Sequence, residues 1–388
     1  MYKIGTLNSI SEKIFNVFDD QNYCVSENID TADAILVRSY VMHDLKFADN
    51  LVAIGRAGAG VNTIPIDRCA KEGIVVFNTP GANANAVKEM TIAAMLISTR
   101  NVLESIAWTN ALKGNGDAVP QMGEKGKGQF VGHELKGMTL GVIGLGAIGA
   151  LVAEAAVALG MNVLGTDPHL SINAALALNN KVKVVAEDEL IRKSDIITIH
   201  APLTDETREK YNEDFIEKAK KGVILINFSR AQIGKAAAII EGLKSGKVKK
   251  YVVDFPTDEL LGVEGVISMP HLASGSYEAE DNCAIMAAEE VKDFLENGNI
   301  RNSVNYPTCD MGICTTAGRI AIFHKNIANM ITRFTGAFGE NNINITNMLN
   351  KSRGEYAYTM CDVETPVPTD IVKRLEAIDG VFRVRIIK

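Results

Sequence analysis

The sequence predicts an α/β protein with two doubly wound parallel-sheet domains and a small C-terminal α+β domain of βαββαβ order. Three observations predict it. Short apolar runs alternate with helical patterns from Tyr2 to Phe77, the alternation returns with seven further runs between Met138 and His271, and the last 70 or so residues change to a different rhythm.

Composition narrows the class. A chain of 388 residues accommodates two to three domains, each able to bury its own core. Forty Lys and Arg against 47 Asp and Glu leave a formal charge of −7, which argues against nucleic acid as the main partner. The 47% apolar content with only 10 Pro excludes a disordered or fibrous chain. Cys24, Cys69, Cys283, Cys309, Cys314 and Cys361 form no CxxC pair and no His-Cys cluster, so neither a metal site nor a disulfide framework is expected. They read as reduced thiols of a cytoplasmic protein. No export signal is visible in the first twenty residues, and Leu140–Gly165, with six Gly and Glu154, suits a strand, a turn and a helix better than a membrane span.

Taken in order, "ADAILVRSY", "NLVAIGRAG" and "GIVVFNTP" predict buried strands, with helices at "SEKIFNVFDD" and "PIDRCAKEG". A long helix is expected over residues 85–114, followed by a Gly- and Lys-rich loop over 114–137. The second set of strands is "MTLGVIGLGAIG", "MNVLGTDPH", "VKVV", "SDIITIHAP", "GVILINFSR", "KKYVVDFP" and "GVISMPH". A helix over 276–298 would return the chain to the first domain and make it discontinuous. The expected boundaries are therefore 1–100 with 276–302, then 101–275, a linker at 303–317, and a tail at 318–388.

Gly144, Gly146 and Gly149 fit the spacing in which one Gly turns tightly, one admits a pyrophosphate and one lets helix pack on strand. Ala147 and Ile148 open the helix whose free N–H groups would meet that pyrophosphate. Asp167 ends the next strand, where a carboxylate accepts from ribose hydroxyls and repels a 2′-phosphate, so the cofactor is read as NAD. Arg230, Asp254, Asp258, Glu259 and His271 follow later strands, at the end of the sheet where ligands bind. His271 is the candidate base for a hydroxyl proton, Arg230 the candidate fork for carboxylate and carbonyl oxygens. His200 reads as a packing residue.

"GLGAIG", "TDPH", "HAPLTDET", "INFSRAQI", "DFPTDE" and "MPHLASGS" occur in the order seen in the D-isomer-specific 2-hydroxyacid dehydrogenases, and residues 1 to about 305 resemble that family. "GRAGAGVNTI" and "VFNTPGANANAVKE" look most like its phosphoglycerate dehydrogenases. The resemblance implies Rossmann-like domains and a catalytic Arg230, Glu259 and His271, with Asp258 as the alternative acid. It also implies cofactor contacts at Ala201, Pro202, Phe228, Ser229 and Asp254. The implied reaction is NAD-dependent oxidation of 3-phospho-D-glycerate to 3-phosphohydroxypyruvate by a homodimer or homotetramer. Arg38 and Arg56, at strand ends, would hold the substrate phosphate, and the backbone of Gly58, Gly60 and Val61 its carboxylate. The tail is similar to ACT domains, which implies serine as a regulator at His324, Asn326 and Asn344; the usual Pro-Gly is Ala328-Asn329 here. Two alternatives stand beside this reading. One is another D-2-hydroxy acid such as D-glycerate or 2-hydroxyglutarate, and the other is a non-enzymatic NAD-sensing corepressor.

Overall fold

The structure, a computed structural model, describes residues 1–388 and divides the chain into two compact units, Met1–Asn83 with Glu280–Lys388, and Ala84–Ala279. In the first unit, β1 (Tyr2–Leu7), β2 (Tyr23–Ser26), β3 (Ala34–Val37), β4 (Ala53–Arg56) and β5 (Val75–Asn78) form a parallel sheet in the order β2-β1-β3-β4-β5, with α1 (Ile66–Lys71) before β5. All four residues of β3 are buried, as expected of an apolar run covered on both faces. The helix expected at 11–20 is only a 3-10 turn, Glu12–Asn16. Downstream, the Asp19 carboxylate accepts from the N–H groups of Gln21 and Asn22, a local bond that competes with helix.

The second unit contains α2 (Ala84–Thr99), α3 (Val102–Ala111), α4 (Val119–Gly126), β6 (Thr139–Ile143), α5 (Ala147–Ala158), β7 (Asn162–Thr166), α6 (Ile172–Ala177) and β8 (Val182–Val184). It continues through α7 (Glu187–Lys193), β9 (Ile196–Ile199), α8 (Glu213–Lys218), β10 (Val223–Asn227), α9 (Ala236–Lys244), β11 (Val248–Val253) and β12 (Val266–Ser268). Its seven strands are parallel in the order β12-β11-β10-β9-β6-β7-β8. The chain runs outward from β6 to β8 and resumes at β9 on the other side of β6, so the topological switch lies between β6 and β9.

The long helix expected over 85–114 is two helices, broken where Asn101 takes a left-handed φ of 48°. Val87, Ala94 and Met95 of α2 are buried with Val142 and Val152, which places the unit boundary at 83/84 rather than at 100. The region expected as a loop over 114–137 is largely helical: a 3-10 turn at Gly116–Ala118, then α4, then a 3-10 turn at Lys127–Phe130. The Trp108 ring lies 5.5 Å from that of Phe130 and close against Gly126, so aromatic packing orders a stretch whose composition reads as a loop.

The helix α10 (Tyr277–Asn297) leads back into the first unit. The tail follows as β13 (Gly318–Lys325), α11 (Met330–Glu340), β14 (Ile345–Arg353), β15 (Tyr356–Val363), α12 (Thr369–Glu376) and β16 (Val381–Ile386), an antiparallel sheet in the order β14-β15-β13-β16. One sheet face packs Ile320, Ile322, Cys361 and Val363 on Phe334, Phe338, Ile371 and Leu375 of its helices. The other face puts Ala321, Phe323, Tyr358 and Met360 into one core with Ile4, Phe77, Phe294 and Leu295. The tail is thus not set apart from the first sheet. Residues 303–317, expected as a linker, are tied down: Ser303 bridges to Phe77, Ile300 to Cys309, and the Tyr306 hydroxyl donates to the Ala70 carbonyl at 2.6 Å. No helix is long and apolar enough to cross a membrane.

Candidate functional site

The turn from β6 into α5 is shaped by its glycines. Gly144 has φ of +88°, and a Cβ there would lie 2.8 Å from the His200 carbonyl oxygen. At Gly149 a Cβ would fall 1.8 Å from the Gly144 carbonyl oxygen, a contact only hydrogen permits. Gly146, the residue before α5, faces open space with no atom within 4 Å of a built Cβ. The free N–H groups of Ala147 and Ile148 follow it at the helix N-terminus. Asp167 stands beyond β7, its Oδ2 accepting from Leu145 N at 2.9 Å and its Oδ1 from His169 N at 2.8 Å. Each oxygen keeps a lone pair for a hydroxyl donor. An open glycine cradle, a helix N-terminus and an oriented carboxylate at the switch point fit NAD.

On the other side of the switch, Ala201 and Pro202 follow β9, and Phe228 and Ser229 follow β10. Ser229 Oγ donates to the Ile199 carbonyl at 2.8 Å, linking the two strand ends. His200 donates its backbone N–H to the Ile143 carbonyl, and its Nε2 pairs with Thr198 Oγ1 at 3.0 Å. Burial pushes its pKa down to about 3, so the imidazole is neutral in the folded protein. The unfolded chain takes up a proton that the folded chain refuses. This contribution to stability is complete above the ordinary pKa of 6.5 and is lost as pH falls toward about 3. Melting temperatures measured across that range are expected to fall on acidification, and less steeply for His200→Asn; equal slopes would refute the assignment.

Arg230, after β10, is exposed and extended, with Nη1 donating to the Ser229 carbonyl at 2.6 Å. Its backbone is set by Asn227, which sequence reasoning missed. This buried amide donates to the Arg230 carbonyl at 2.9 Å and to Tyr251 Oη, and accepts from Ser229 N. A polar residue closing the apolar run "VILIN" was the available signal.

Asp254 organises His271. It is 1% exposed, and its two carboxylate oxygens accept from Leu272 N at 2.6 Å and Ala273 N at 2.8 Å. Its carbonyl accepts from His271 N at 2.9 Å. Burial raises the Asp254 pKa, opposed by those two N–H groups and by the nearby His271. The Asp254 carboxylate thereby also fastens the backbone of the turn that carries His271. That turn holds His271 at φ of 54°, with its ring 4.7 Å from the Phe255 ring. Glu259 and Asp258 are both exposed in a turn closed by Leu260 N on the Thr257 carbonyl, and neither pairs with the His271 ring.

In the first unit, Arg38 follows β3 and Arg56 ends β4. Arg38 Nη2 pairs with Glu280 Oε1 on α10 at 2.7 Å. The Arg56 guanidinium lies over Gly58, where φ is +138° and a Cβ would meet Nη1 at 1.6 Å. The loop carrying Gly58, Gly60 and Val61 is fastened from β5: Gly58 N donates to Thr79 Oγ1 at 2.7 Å, and Asn78 Nδ2 to the Ala59 carbonyl at 2.7 Å. Asn78 and Thr79 were also missed; the polar pair ending "VVFNTP" was their only trace.

In the tail, His324 is 2% exposed and both ring nitrogens are engaged, Nδ1 with the Lys325 carbonyl and Nε2 with Asn350 Oδ1 and Thr359 Oγ1. The His324 ring, expected to meet a regulator, is thus paired within the tail. Asn326 and Asn344 are exposed, and Asn326 Nδ2 donates to the Gly354 carbonyl. Asn329, in place of the usual Gly, takes φ of 69°, so the left-handed turn before α11 is kept.

Residues 92–273 match the NAD binding domain of the D-isomer specific 2-hydroxyacid dehydrogenases. The chain is 37% identical over 288 residues to a D-3-phosphoglycerate dehydrogenase of Archaeoglobus fulgidus, covering 72% of this chain and 52% of that protein. It therefore spans about half the length of that curated relative. It is 29% identical over 385 residues to the D-3-phosphoglycerate dehydrogenase of Escherichia coli K12, covering 95% and 90%. A D-lactate dehydrogenase of Treponema pallidum shares the fold at 21% identity with a TM-score of 0.64, over 78% of this chain and 99% of that one. With the glycine cradle and Asp167 in place, residues 92–273 form the NAD binding domain of the D-isomer specific 2-hydroxyacid dehydrogenase family.

Proposed function

We propose that this protein oxidises 3-phospho-D-glycerate to 3-phosphohydroxypyruvate with NAD, the entry reaction to serine. Two arginines at the ends of neighbouring strands, beside a loop of backbone N–H groups, are the observation that carries it, because an acidic protein needs local positive charge to hold a phosphorylated carboxylate. Arg56 and Arg38 take the phosphate, and the Gly58, Gly60 and Val61 backbone takes the carboxylate. Arg230 holds the carboxylate and the reacting oxygen through its planar fork. His271 accepts the hydroxyl proton as the carbonyl forms, and Glu259 is the carboxylate assigned to the protonated imidazole. Bound in the β6–α5 cradle, NAD supplies the hydride acceptor. The reading includes a cytoplasmic homo-oligomer, supported by six unpaired thiols and by the exposed Leu103 and Ile106 of α3.

A second reading has one observation in its favour. The Arg38–Glu280 pair already satisfies one arginine, as a site for an unphosphorylated D-2-hydroxy acid would allow. Serine regulation at the tail is part of the first reading. The turn kept by Asn329 and the exposed amides of Asn326 and Asn344 support it, and the engaged ring of His324 does not.

The test is NADH formation from NAD with 3-phosphoglycerate, D-glycerate and 2-hydroxyglutarate, and NADH consumption with phosphohydroxypyruvate, each with and without serine. Turnover of the phosphorylated substrate that Arg56→Ala weakens is the expected result. A preference for unphosphorylated acids would favour the second reading, and NADH binding without turnover would leave only the corepressor.

A further inference from the structure

The loop at 57–61 is anchored through more than Thr79. Asn78 Nδ2 donates to the Ala59 carbonyl at 2.7 Å, while Asn78 N donates to the Asn302 carbonyl at 3.3 Å. Asn302 in turn donates from Nδ2 to Glu290 Oε1 on α10 at 2.7 Å. Its left-handed φ of 49° lets carbonyl and side chain serve different partners. The next residue is also held, because Ser303 bridges to Phe77 and its carbonyl accepts from Arg353 Nη1 of β14 at 2.6 Å. Three separate stretches of chain thus meet at Asn302.

Glu290 is costly where it stands. It is 9% exposed, its Oε2 is buried with no hydrogen-bond partner, and burial pushes its pKa up to about 8. An apolar residue would be cheaper at such a place, and a buried polar atom left unpaired in a native protein calls for a role. Its one polar contact is Asn302.

We propose that Glu290, Asn302 and Asn78 form a positioning network that sets the 57–61 loop and thereby the affinity for the anionic substrate. The network rests on the assignment of that loop to substrate under the proposed function. None of the three residues touches the reacting atoms; they act through the loop backbone. A hydrogen-bonding group of the loop displaced by a fraction of an ångström loses its grip on substrate without altering hydride or proton transfer.

The experiment is steady-state kinetics of the full chain with NAD and 3-phosphoglycerate, on Asn302→Gly, Asn78→Ala, Glu290→Leu, Glu290→Gln and Arg56→Ala. Glycine keeps the left-handed conformation of Asn302 while removing its amide. The first three variants are expected to raise KM for 3-phosphoglycerate about tenfold, the scale of one lost hydrogen bond, with kcat and the KM for NAD within about twofold of wild type. Glu290→Gln, whose amide oxygen still accepts from Asn302 Nδ2, is expected to restore KM. The network is overturned if Arg56→Ala raises KM while Asn302→Gly and Asn78→Ala do not, or if these two depress kcat and both affinities alike, as a general loss of structure would. If Arg56→Ala itself leaves KM unchanged, the assignment of the loop to substrate is what fails. Should Glu290→Leu not fold, Asn78→Ala and Asn302→Gly still decide.

Discussion

Replacing His271 with glutamine is expected to lower kcat by about 10²–10⁴-fold, the range a positioned general base contributes, while NAD still binds. Glutamine keeps the polarity and much of the volume but cannot take up a proton near neutral pH. The position of the imidazole is set by the backbone rather than by a side-chain partner. His271 N donates to the carbonyls of Asp254 and Met269, and the next two N–H groups close on the Asp254 carboxylate. A left-handed φ of 54° at a non-glycine residue is tolerated because that turn over-determines it. The deficit should appear in the chemical step, so single-turnover rates and coenzyme binding by NADH fluorescence separate it from a folding defect. A variant keeping more than a third of wild-type kcat would remove His271 from the mechanism.

Asp362→Ala is expected to be the most destabilising single change in the tail. Arg319 and Asp362 face each other across β13 and β15, with side chains only 1% and 5% exposed and Nε to Oδ1 and Nη2 to Oδ2 at 2.5 and 2.9 Å. The hydrogen bond to Asp362 is the main cause that raises the Arg319 pKa. The same guanidinium donates from Nη1 to the carbonyls of Asn297 and Gly312, so it fastens the end of α10 and the 309–314 segment to the sheet. Removing one partner of a buried pair strands the other charge and costs roughly 3–5 kcal/mol, a large part of the roughly 5–15 kcal/mol that holds a domain together. At about 2–4 °C per kcal/mol for a unit of this size, the melting temperature should drop by about 6–20 °C. The double variant Arg319→Met with Asp362→Leu should recover most of that, because two apolar side chains need no partners. A drop below about 2 °C in the single variant would mean the pair is hydrated in solution.

The second unit was legible in the sequence to a large degree. Glycine spacing, an acid at the next strand end and fully apolar strands are local signals, and local sterics and burial determine what they build. The cradle at Gly144, Gly146 and Gly149 follows from a stretch of six residues. The tail's βαββαβ order was legible for the same reason.

What the sequence did not contain is who touches whom. The helix break at Asn101 lies in one left-handed residue, and the helical turns at 116–130 go with the packing of Trp108 on Phe130, not with the composition of the stretch. Residues 303–317 look like a linker because they lack periodicity, yet Tyr306 and Asn305 reach groups more than 200 positions away. Asp254 stands at a strand end, and only the fold shows that each of its carboxylate oxygens accepts a backbone N–H of the turn that carries His271. Only the fold shows the His324 ring paired with Asn350 and Thr359. By itself the sequence determined the seven strands of the second sheet, the order of the tail and the NAD cradle, because these follow from residue type and short-range spacing. The tertiary structure alone decided which polar groups are engaged and which stay open, because hydrogen bonding in a close-packed interior joins residues whose distance along the chain carries no information.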